Sequence, residues 1–145
     1  MPYSYQYPHF ALTVDALVFV KKEDVWEILL IQRKSPPFQD QWALPGGYVD
    51  IDETTEKAAY RELEEETGIS GIKLNRLDVF DAIDRDPRER TVSVAYFGVT
   101  EDILQAKASD DAKNARWFPI NELPELAFDH QEIIEKGLTE ITERY

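Results

Sequence analysis

The stretch that most constrains the fold is residues 46–69, where a pair of glycines precedes a segment rich in alanine and glutamate. Residues 55–67 are predicted to form one helix, because alanine, leucine and glutamate have high helix propensities. Thr54 is expected to cap the start of this helix with its hydroxyl oxygen. Gly68 is expected to end it in the left-handed conformation, which glycine adopts without strain. The chain therefore contains a tight turn followed closely by a helix.

Three acidic residues are unfavourably placed on this predicted helix. Glu62, Glu65 and Glu66 are three and four positions apart, so they share one face and repel by roughly a few tenths of a kcal/mol per pair. Glu65 and Glu66 also fall in the last turn, where the helix dipole favours a cation. A solvated face is the usual explanation of an isolated glutamate run. Several destabilising residues on one part of a helix are instead typical of a functional site, and here the three carboxylates could coordinate a divalent cation.

The residues around the glutamates match a known motif. Gly47, Glu53, the triplet 61–63, the pair 65–66 and the pair 68–69 have the identities and spacing of the Nudix box. The chain is therefore identified as similar to the Nudix hydrolases. The resemblance implies a Nudix fold, an α+β arrangement in which a mixed central β-sheet lies between helices as an α/β/α sandwich.

The resemblance also implies roles for the residues of the box. Carboxylates and a main-chain carbonyl would bind Mg²⁺ or Mn²⁺, because oxygen ligands select hard cations. Such a cation lowers the pKa of bound water and neutralises phosphoryl oxygens. The guanidinium of Arg61 can hold a neighbouring carboxylate through two hydrogen bonds, and Glu53 would support the metal site. The expected catalytic residues are Glu53, Arg61, Glu62 and Glu65, and the expected metal ligands are Gly47, Glu62, Glu65 and Glu66.

The general base that would activate water is left open by the sequence. One of the box glutamates is a candidate. Asp110 and Asp111 are candidates by position, because the resemblance implies a base from a loop that follows the box. A solvated loop is the alternative interpretation of this aspartate pair.

Three shorter stretches resemble the ADP-ribose pyrophosphatase branch of the family, at residues 12–15, 84–88 and 126–130. The second is a charged turn whose arginines could bind a diphosphate or a ribose, although a surface turn with salt bridges is the alternative. In the third, His130 is interpreted as a surface residue at a helix start and Phe128 as a core residue. The predicted substrate-binding residues are Arg33, Arg85, Arg88 and Arg90.

ADP-ribose is the substrate that these stretches predict, cleaved to AMP and ribose 5-phosphate. A nucleoside-triphosphate-cleaning Nudix enzyme is one alternative, because it shares the box and differs in its pocket. A non-catalytic, ADP-ribose-sensing domain of a transcriptional regulator is another. The intact box and a formal net charge of −13 favour the enzyme, because DNA contacts need a basic surface.

The remaining sequence predicts one domain over residues 1–145, with an aromatic N-terminal arm at residues 1–9. The arm is expected to lie on the domain or on a partner subunit in a homodimer, because aromatic residues are enriched at interfaces. Alternation of apolar residues predicts a largely β chain with one inserted and one terminal helix. The predicted strands are 10–20, 25–32, 42–48, 72–83, 91–99 and 116–120, and the terminal helix is 129–145.

Composition limits the partners and the compartment. The chain has no cysteine and no apolar run long enough for a membrane span, so we expect a cytoplasmic protein without a membrane partner. The acidic balance argues against a nucleic-acid partner. It suits a small nucleotide or nucleotide-sugar substrate only where bound cations reverse the local charge.

Overall fold

The computed structural model describes residues 4–102 and 112–145. Within these ranges the chain forms seven strands, two α-helices and a short 3₁₀ helix at Ile120–Glu122. The strands are β1 (Ala11–Lys22), β2 (Val25–Arg33), β3 (Trp42–Ala43), β4 (Gly46–Tyr48), β5 (Asn75–Phe80), β6 (Thr91–Thr100) and β7 (Ala112–Pro119), and the helices are α1 (Thr55–Thr67) and α2 (His130–Arg144).

The strands form one mixed sheet with the order β3-β2-β1-β6-β5, in which β4 also pairs with β1 and β7 with β2. Its centre is the parallel pair β1 and β6, in register from Ala11 opposite Thr91 to Val20 opposite Thr100. The other ladders in the described sheet are antiparallel. The β1–β2 hairpin, the mixed sheet and the α+β class expected from the sequence are confirmed.

Alternation along the central strands divides the core between the two helices, because successive side chains of a strand point to opposite faces. On β1, Val14, Ala16 and Val18 pack in one buried cluster with Ala59 and Leu63 of α1. On the opposite face of β1, Leu17 and Phe19 belong to a second cluster, which contains residues of α2. That cluster includes Leu17, Phe19, Ile133, Ile134 and Ile141. The sheet is therefore covered by one helix on each face, which is the predicted α/β/α sandwich.

The ends of α1 agree with the sequence. The hydroxyl oxygen of Thr54 accepts a hydrogen bond from the Lys57 N–H, and Gly68 has the left-handed φ of 75°. Two strands differ in length from the prediction. The strand predicted at 72–83 is shorter, since β5 begins at Asn75 and ends at Phe80. The strand predicted at 116–120 is longer, since β7 begins at Ala112. Helix α2 begins at His130, one residue after the predicted start, and the side chain of Asp129 makes no cap hydrogen bond.

Candidate active site

The box carboxylates lie against the glycine backbone of β4. Glu62 and Glu66 are buried, with 9% and 5% of their surface exposed, and a Glu66 oxygen accepts a 2.6 Å hydrogen bond from the Gly46 N–H. A Cβ atom at Gly47 would lie 2.7 Å from the carboxylate carbon and oxygens of Glu62. Position 47 therefore requires glycine, because the main chain there lies too close to the buried Glu62 carboxylate for a side chain to fit. Glu65 is further out, with its side chain about half exposed.

Arg61 connects the other acids of the box. Its Nε and Nη2 donate to the two carboxylate oxygens of Glu53 at 3.0 and 2.6 Å, and Nη1 donates to Glu62 and Glu65 at 2.7 and 3.1 Å. Nη2 also donates to the carbonyl of Tyr48 at 3.0 Å. The hydrogen bonds from Arg61 hold the pKa of Glu53 at about 2, so this carboxylate is ionised at neutral pH. The guanidinium fixes the carboxylate orientations, as expected.

The chemistry of this donor set fits a hard divalent cation. The buried carboxylates of Glu62 and Glu66 lie against the turn at Gly46 and Gly47, and the half-exposed Glu65 is linked to Glu62 through Arg61. Oxygen donors of this kind suit Mg²⁺ and Mn²⁺. Within the described ranges, no three carboxylate or imidazole side chains already converge as a ligand set. The guanidinium of Arg61, which donates to Glu53, Glu62 and Glu65, provides positive charge among these acids.

A cavity of about 140 Å³ opens beside the box and reaches across the sheet to the start of α2. Gly46, Gly47, Tyr48 and Glu66 line its side nearest the box, and its other walls include Arg33, Arg85, Arg88, Phe128 and His130. Pockets that enclose an entire small ligand usually measure roughly 300–1,000 Å³. A cavity of this size can therefore enclose only part of a small ligand.

The cavity wall contains a buried network of charged and polar groups centred on Asp15. The Asp15 carboxylate accepts from the Ser93 hydroxyl at 2.5 Å and lies 3.3 Å from the His130 Nε2. The His130 Nδ1 accepts a 3.0 Å hydrogen bond from the Leu44 N–H. Because Nδ1 is an acceptor, the proton of the neutral imidazole lies on Nε2, facing Asp15. Burial raises the pKa of Asp15, but His130, Ser93 and Arg85 outweigh it and the net shift is downward.

Arg85 belongs to the same network. Its Nε and Nη2 donate to the two carboxylate oxygens of Asp129 at 2.9 and 2.7 Å, and Nη2 lies 4.0 Å from Asp15. Burial lowers the pKa of Arg85, but Asp129 and Asp15 raise it by more. This bidentate pair uses the Asp129 carboxylate and explains why it does not cap α2. Arg85 is therefore largely committed to holding the 84–90 turn against the start of α2.

Arg33 differs from the other cavity arginines. Its Nε donates to the carbonyl of Pro37 at 2.7 Å and its guanidinium lies over the Phe128 ring at 4.9 Å. In the described ranges it has no carboxylate within ion-pair distance, whereas Arg88 pairs with Asp86 at 2.8 Å. Burial and the nearby Arg88 lower the pKa of Arg33. A partly desolvated guanidinium that has only more distant carboxylates, Asp86 and Glu66, among the described residues is suited to an anionic ligand.

The predicted site residues are thus only partly brought together. Arg33, Arg85 and Arg88 line the cavity, whereas Arg90 lies over the Phe10 ring at 4.6 Å and does not. Asp110 and Asp111 lie outside the described residues. The surface position expected for His130 is wrong, since only 4% of this residue is exposed. Phe128 is half-buried in the cavity wall rather than fully in the core.

Asp15 was missed as a site residue by the sequence reading. One signal was available, since Asp15 is a single acid within an otherwise apolar strand, and a buried acid needs a partner. His130 and Tyr48 carried no comparable local signal, because their neighbours in the cavity come from distant parts of the chain.

Comparison with known domains identifies the family. A model of the NUDIX domain matches residues 9–137. The chain belongs to the Nudix family. The box in α1, the mixed sheet and the two flanking helices are therefore family features, as the resemblance implied.

Individual Nudix relatives agree with the branch expected from the short stretches. An ADP-ribose pyrophosphatase of Methanocaldococcus jannaschii is 44% identical over 130 residues, covering 88% of this chain and 73% of that protein. An ADPR responsive transcriptional repressor, NtrR, of Acinetobacter baylyi is 31% identical over 95% of this chain and 57% of its own length.

A solved structure is also similar. It is a bifunctional NMN adenylyltransferase/ADP ribose pyrophosphatase from Francisella tularensis, complexed with AMP and a Mn ion. It has a TM-score of 0.81 and 36% identity, and the match covers 94% of this chain and 43% of that chain. A divalent cation thus occurs in a related protein.

Proposed function

We propose that this Nudix protein hydrolyses ADP-ribose to AMP and ribose 5-phosphate with Mg²⁺ or Mn²⁺. The observation that carries the proposal is the continuity of the box and the cavity, which share Gly46, Gly47 and Glu66. A diphosphate at the box can extend one of its two nucleoside or sugar ends into the cavity. The 44% identity to an ADP-ribose pyrophosphatase supports this substrate.

The residues of the box would have separate tasks in this reaction. Glu62, Glu65 and Glu66, with the Gly47 carbonyl, would hold the cation, which supplies charge neutralisation and an activated water. Arg61 keeps Glu53, Glu62 and Glu65 oriented through the hydrogen bonds described above. Water attacks a phosphorus of the diphosphate, and the bond from that phosphorus to the bridging oxygen breaks. The proton goes to a base in the set proposed from the sequence, a box glutamate or Asp110 or Asp111.

Arg33 and Arg88 are the proposed substrate contacts in the cavity, with Arg85 positioning the turn that carries Arg88. A hydrogen bond from a charged donor contributes roughly 1.5–3 kcal/mol, so Arg33→Ala should lower kcat/KM for ADP-ribose about tenfold to a hundredfold. Arg144→Ala is a matched control, since its guanidinium also lies over a phenylalanine ring, Phe97, at 5.3 Å but outside the cavity. Equal losses of kcat/KM in both variants would show that Arg33 does not contact the substrate.

Hydrolysis assays test the whole proposal. With Mg²⁺, kcat/KM should be higher for ADP-ribose than for NADH, dinucleoside polyphosphates or oxidised dGTP. EDTA should abolish turnover, and Glu66→Gln should lower kcat on the order of 10³-fold, as loss of a dominant electrostatic group does. Full activity in EDTA would contradict the mechanism. A preference for oxidised dGTP would contradict the substrate and favour the triphosphate-cleaning alternative.

A regulatory role is the second candidate, favoured by the 31% identity to NtrR. In that case ADP-ribose would bind without being cleaved. The hydrolysis assays would then detect no products, although the protein binds ADP-ribose. We propose that nucleic acid is not a partner of the described domain, on the basis of its net charge of −13. Retardation of duplex DNA at physiological salt would contradict this.

Assembly and location are further parts of the proposal. The arm carries exposed aromatic side chains, with Tyr7 71% and Phe10 60% exposed, and lies beside Ile51, which is 90% exposed. A homodimer would cover this apolar surface. Sedimentation showing a species of 16.8 kDa at high micromolar concentration would contradict it.

No described helix has the length and apolar character needed to cross a bilayer. We propose a cytoplasmic location, which cell fractionation would check.

A further inference from the structure

His130 is a buried side chain to which the proposed reaction gives no task. Only 4% of the residue is exposed, although histidine is more often only partly buried. Both ring nitrogens have partners, since Nδ1 accepts from the Leu44 N–H at 3.0 Å and Nε2 lies 3.3 Å from Asp15. The imidazole therefore joins the start of α2 to β1, through Asp15, and to the link between β3 and β4, through Leu44.

The Leu44 N–H lies outside the strand ladders. Leu44 is 2% exposed and follows the last residue of β3, and β4 begins two residues later at Gly46. The intervening Pro45 has no N–H to donate. A buried N–H without an acceptor costs free energy comparable to a lost hydrogen bond, so the imidazole supplies an acceptor that the sheet does not. Nδ1 thus fixes the backbone immediately before the turn at Gly46.

The chain after Leu44 runs directly to the box. The Pro45 carbonyl accepts from the Ala16 N–H at 2.8 Å, and the Gly46 N–H donates to Glu66 at 2.6 Å. Each of three consecutive residues therefore has a main-chain group held by a different element, namely α2, β1 and α1. A displacement of the chain at Leu44 would consequently change the hydrogen bond between Gly46 and Glu66.

The imidazole is itself held in one orientation. One oxygen of Asp15 faces Nε2, and the other accepts from the Ser93 hydroxyl, so the carboxylate acts from a fixed position. The backbone that carries His130 is also fixed, since two nitrogens of Arg85 bind the carboxylate of Asp129. A proton on Nε2 leaves Nδ1 as the acceptor of the neutral ring. The tautomer that accepts a main-chain N–H is therefore set by Asp15.

We propose that His130 is a positioning residue for the cation at the box, acting through the Leu44 N–H on the turn at Gly46 and Gly47. It contacts neither the cation nor the substrate. It holds the turn so that the Gly46 N–H keeps its bond to Glu66 and the Gly47 carbonyl can meet the cation. The inference rests on the proposed function for the presence of a divalent cation, and it is independent of which substrate is cleaved.

Two substitutions separate the two ends of the imidazole. His130→Asn keeps an amide oxygen near the position of Nδ1, so it can accept from Leu44 but does not reach Asp15. His130→Gln extends an amide nitrogen towards the position of Nε2, so it can donate to Asp15 but offers Leu44 no acceptor. Both variants lose the packed ring, so both should have a lower melting temperature.

Binding of Mn²⁺ alone measures the effect on the cation site. The affinity, followed through the electron paramagnetic resonance signal of free Mn²⁺, should fall about tenfold in His130→Gln, as it does on loss of a group that orients metal ligands. His130→Asn should bind Mn²⁺ nearly as tightly as wild type. Equal affinities in His130→Gln and wild type, or equal losses in the two variants, would overturn the inference.

Two controls address stability and the loss of an imidazole. Gly137→Ala overpacks the same helix against Leu17, so it should lower the melting temperature without changing Mn²⁺ affinity. His9 is the other histidine of the chain and is exposed on the arm, so His9→Gln should also leave the affinity unchanged. A loss of affinity in Gly137→Ala as large as in His130→Gln would show that stability alone is responsible, and would overturn the inference.

Amide hydrogen exchange in the metal-free protein gives a readout that needs no cation. The Gly46 amide should exchange faster in His130→Gln than in His130→Asn, and equal rates would overturn the inference. If neither variant folds, the wild-type protein decides. Saturating Mg²⁺ should then slow exchange of the Leu44 amide, because coupling between two sites is reciprocal, and an unchanged rate would overturn the inference. Mn²⁺ binding that depends on His130, without cleavage of ADP-ribose, would support the inference and contradict the proposed function.

Discussion

At the scale of single residues, Gly47 is a sterically restricted position of the candidate active site. Gly47→Ala should place a methyl group 2.7 Å from the Glu62 carboxylate and displace this carboxylate from the turn. We expect kcat for ADP-ribose to fall on the order of 10²-fold, because misplacing one group of a positioned set has effects of that size. Steady-state kinetics measure this, with the melting temperature as a check on folding.

Gly68→Ala provides the contrast. Apart from adjacent backbone, no atom of the described residues lies within 4 Å of a Cβ atom at Gly68, and the residue has a left-handed φ, so alanine there is strained without touching the site. It should cost about 1 kcal/mol of stability and leave kcat nearly unchanged. A large loss of kcat in Gly68→Ala but not in Gly47→Ala would contradict the steric explanation.

Asp15 carries a prediction about pH. Its folded pKa is below its usual 3.8, so its ionised form stabilises the fold above that pH, and the contribution is lost as the pH falls towards the lower folded value. Asp15→Asn should therefore reduce the free energy of unfolding by roughly 1.5–3 kcal/mol at pH 7, because it replaces the charged acceptor beside His130 and Ser93 with a neutral amide, while Arg85 keeps its pair with Asp129. The difference from wild type should shrink below pH 3.8.

Urea denaturation at several pH values measures this difference. Asp78→Asn is the matched control, because Asp78 pairs with Lys136 at 2.9 Å on the surface and its loss should matter far less. An equal effect of both substitutions, or a difference for Asp15→Asn that grows in acid, would contradict the role given to the buried network.

At the scale of elements, α2 approaches the sheet most closely at Gly137. A Cβ atom there would lie 2.6 Å from Leu17 Cδ2 and 3.2 Å from the Phe19 ring. Gly137→Ala should gain about 1 kcal/mol of helix propensity but lose more through overpacking, for a net destabilisation of about 1–2 kcal/mol. Thr139→Ala, at an exposed position of the same helix, should change stability by less than about 0.5 kcal/mol. Thermal unfolding monitored by circular dichroism compares the two.

The elements also separate what sequence could predict from what it could not. The ends of α1 were predictable because Thr54 and Gly68 act through their own and neighbouring backbone groups. The start of α2 was also predicted to within one residue, but the role of Asp129 was not predictable, because its carboxylate is bound by Arg85, which is 44 residues away in the chain. The box carboxylates were visible as a local violation of helix chemistry. The Asp15 network and the exposure of Phe128 depend on contacts between distant segments, which no local pattern encodes.

At the scale of the whole molecule, the sheet divides the domain into an α1 side and an α2 side. The candidate site lies at one end of this arrangement, where β4, the 84–90 turn and the start of α2 meet. Each contributes a different function: backbone close to the carboxylates, cationic side chains, and an aromatic wall. The site therefore depends on the completed fold rather than on the box alone, which is why variants of the buried network are expected to affect both stability and binding.

The parallel pairing of β1 with β6 has a consequence for synthesis on the ribosome. Each of residues 11–20 of β1 pairs with a residue 80 positions later, so the centre of the sheet cannot close until β6 has left the exit tunnel. Contacts of such long sequence separation delay folding. A fragment ending at residue 90 should therefore be digested rapidly by protease and lack a cooperative melting transition, unlike the full chain. During translation the apolar hairpin of β1 and β2 lacks its central partner, so its apolar surface stays exposed for that interval and is prone to aggregation.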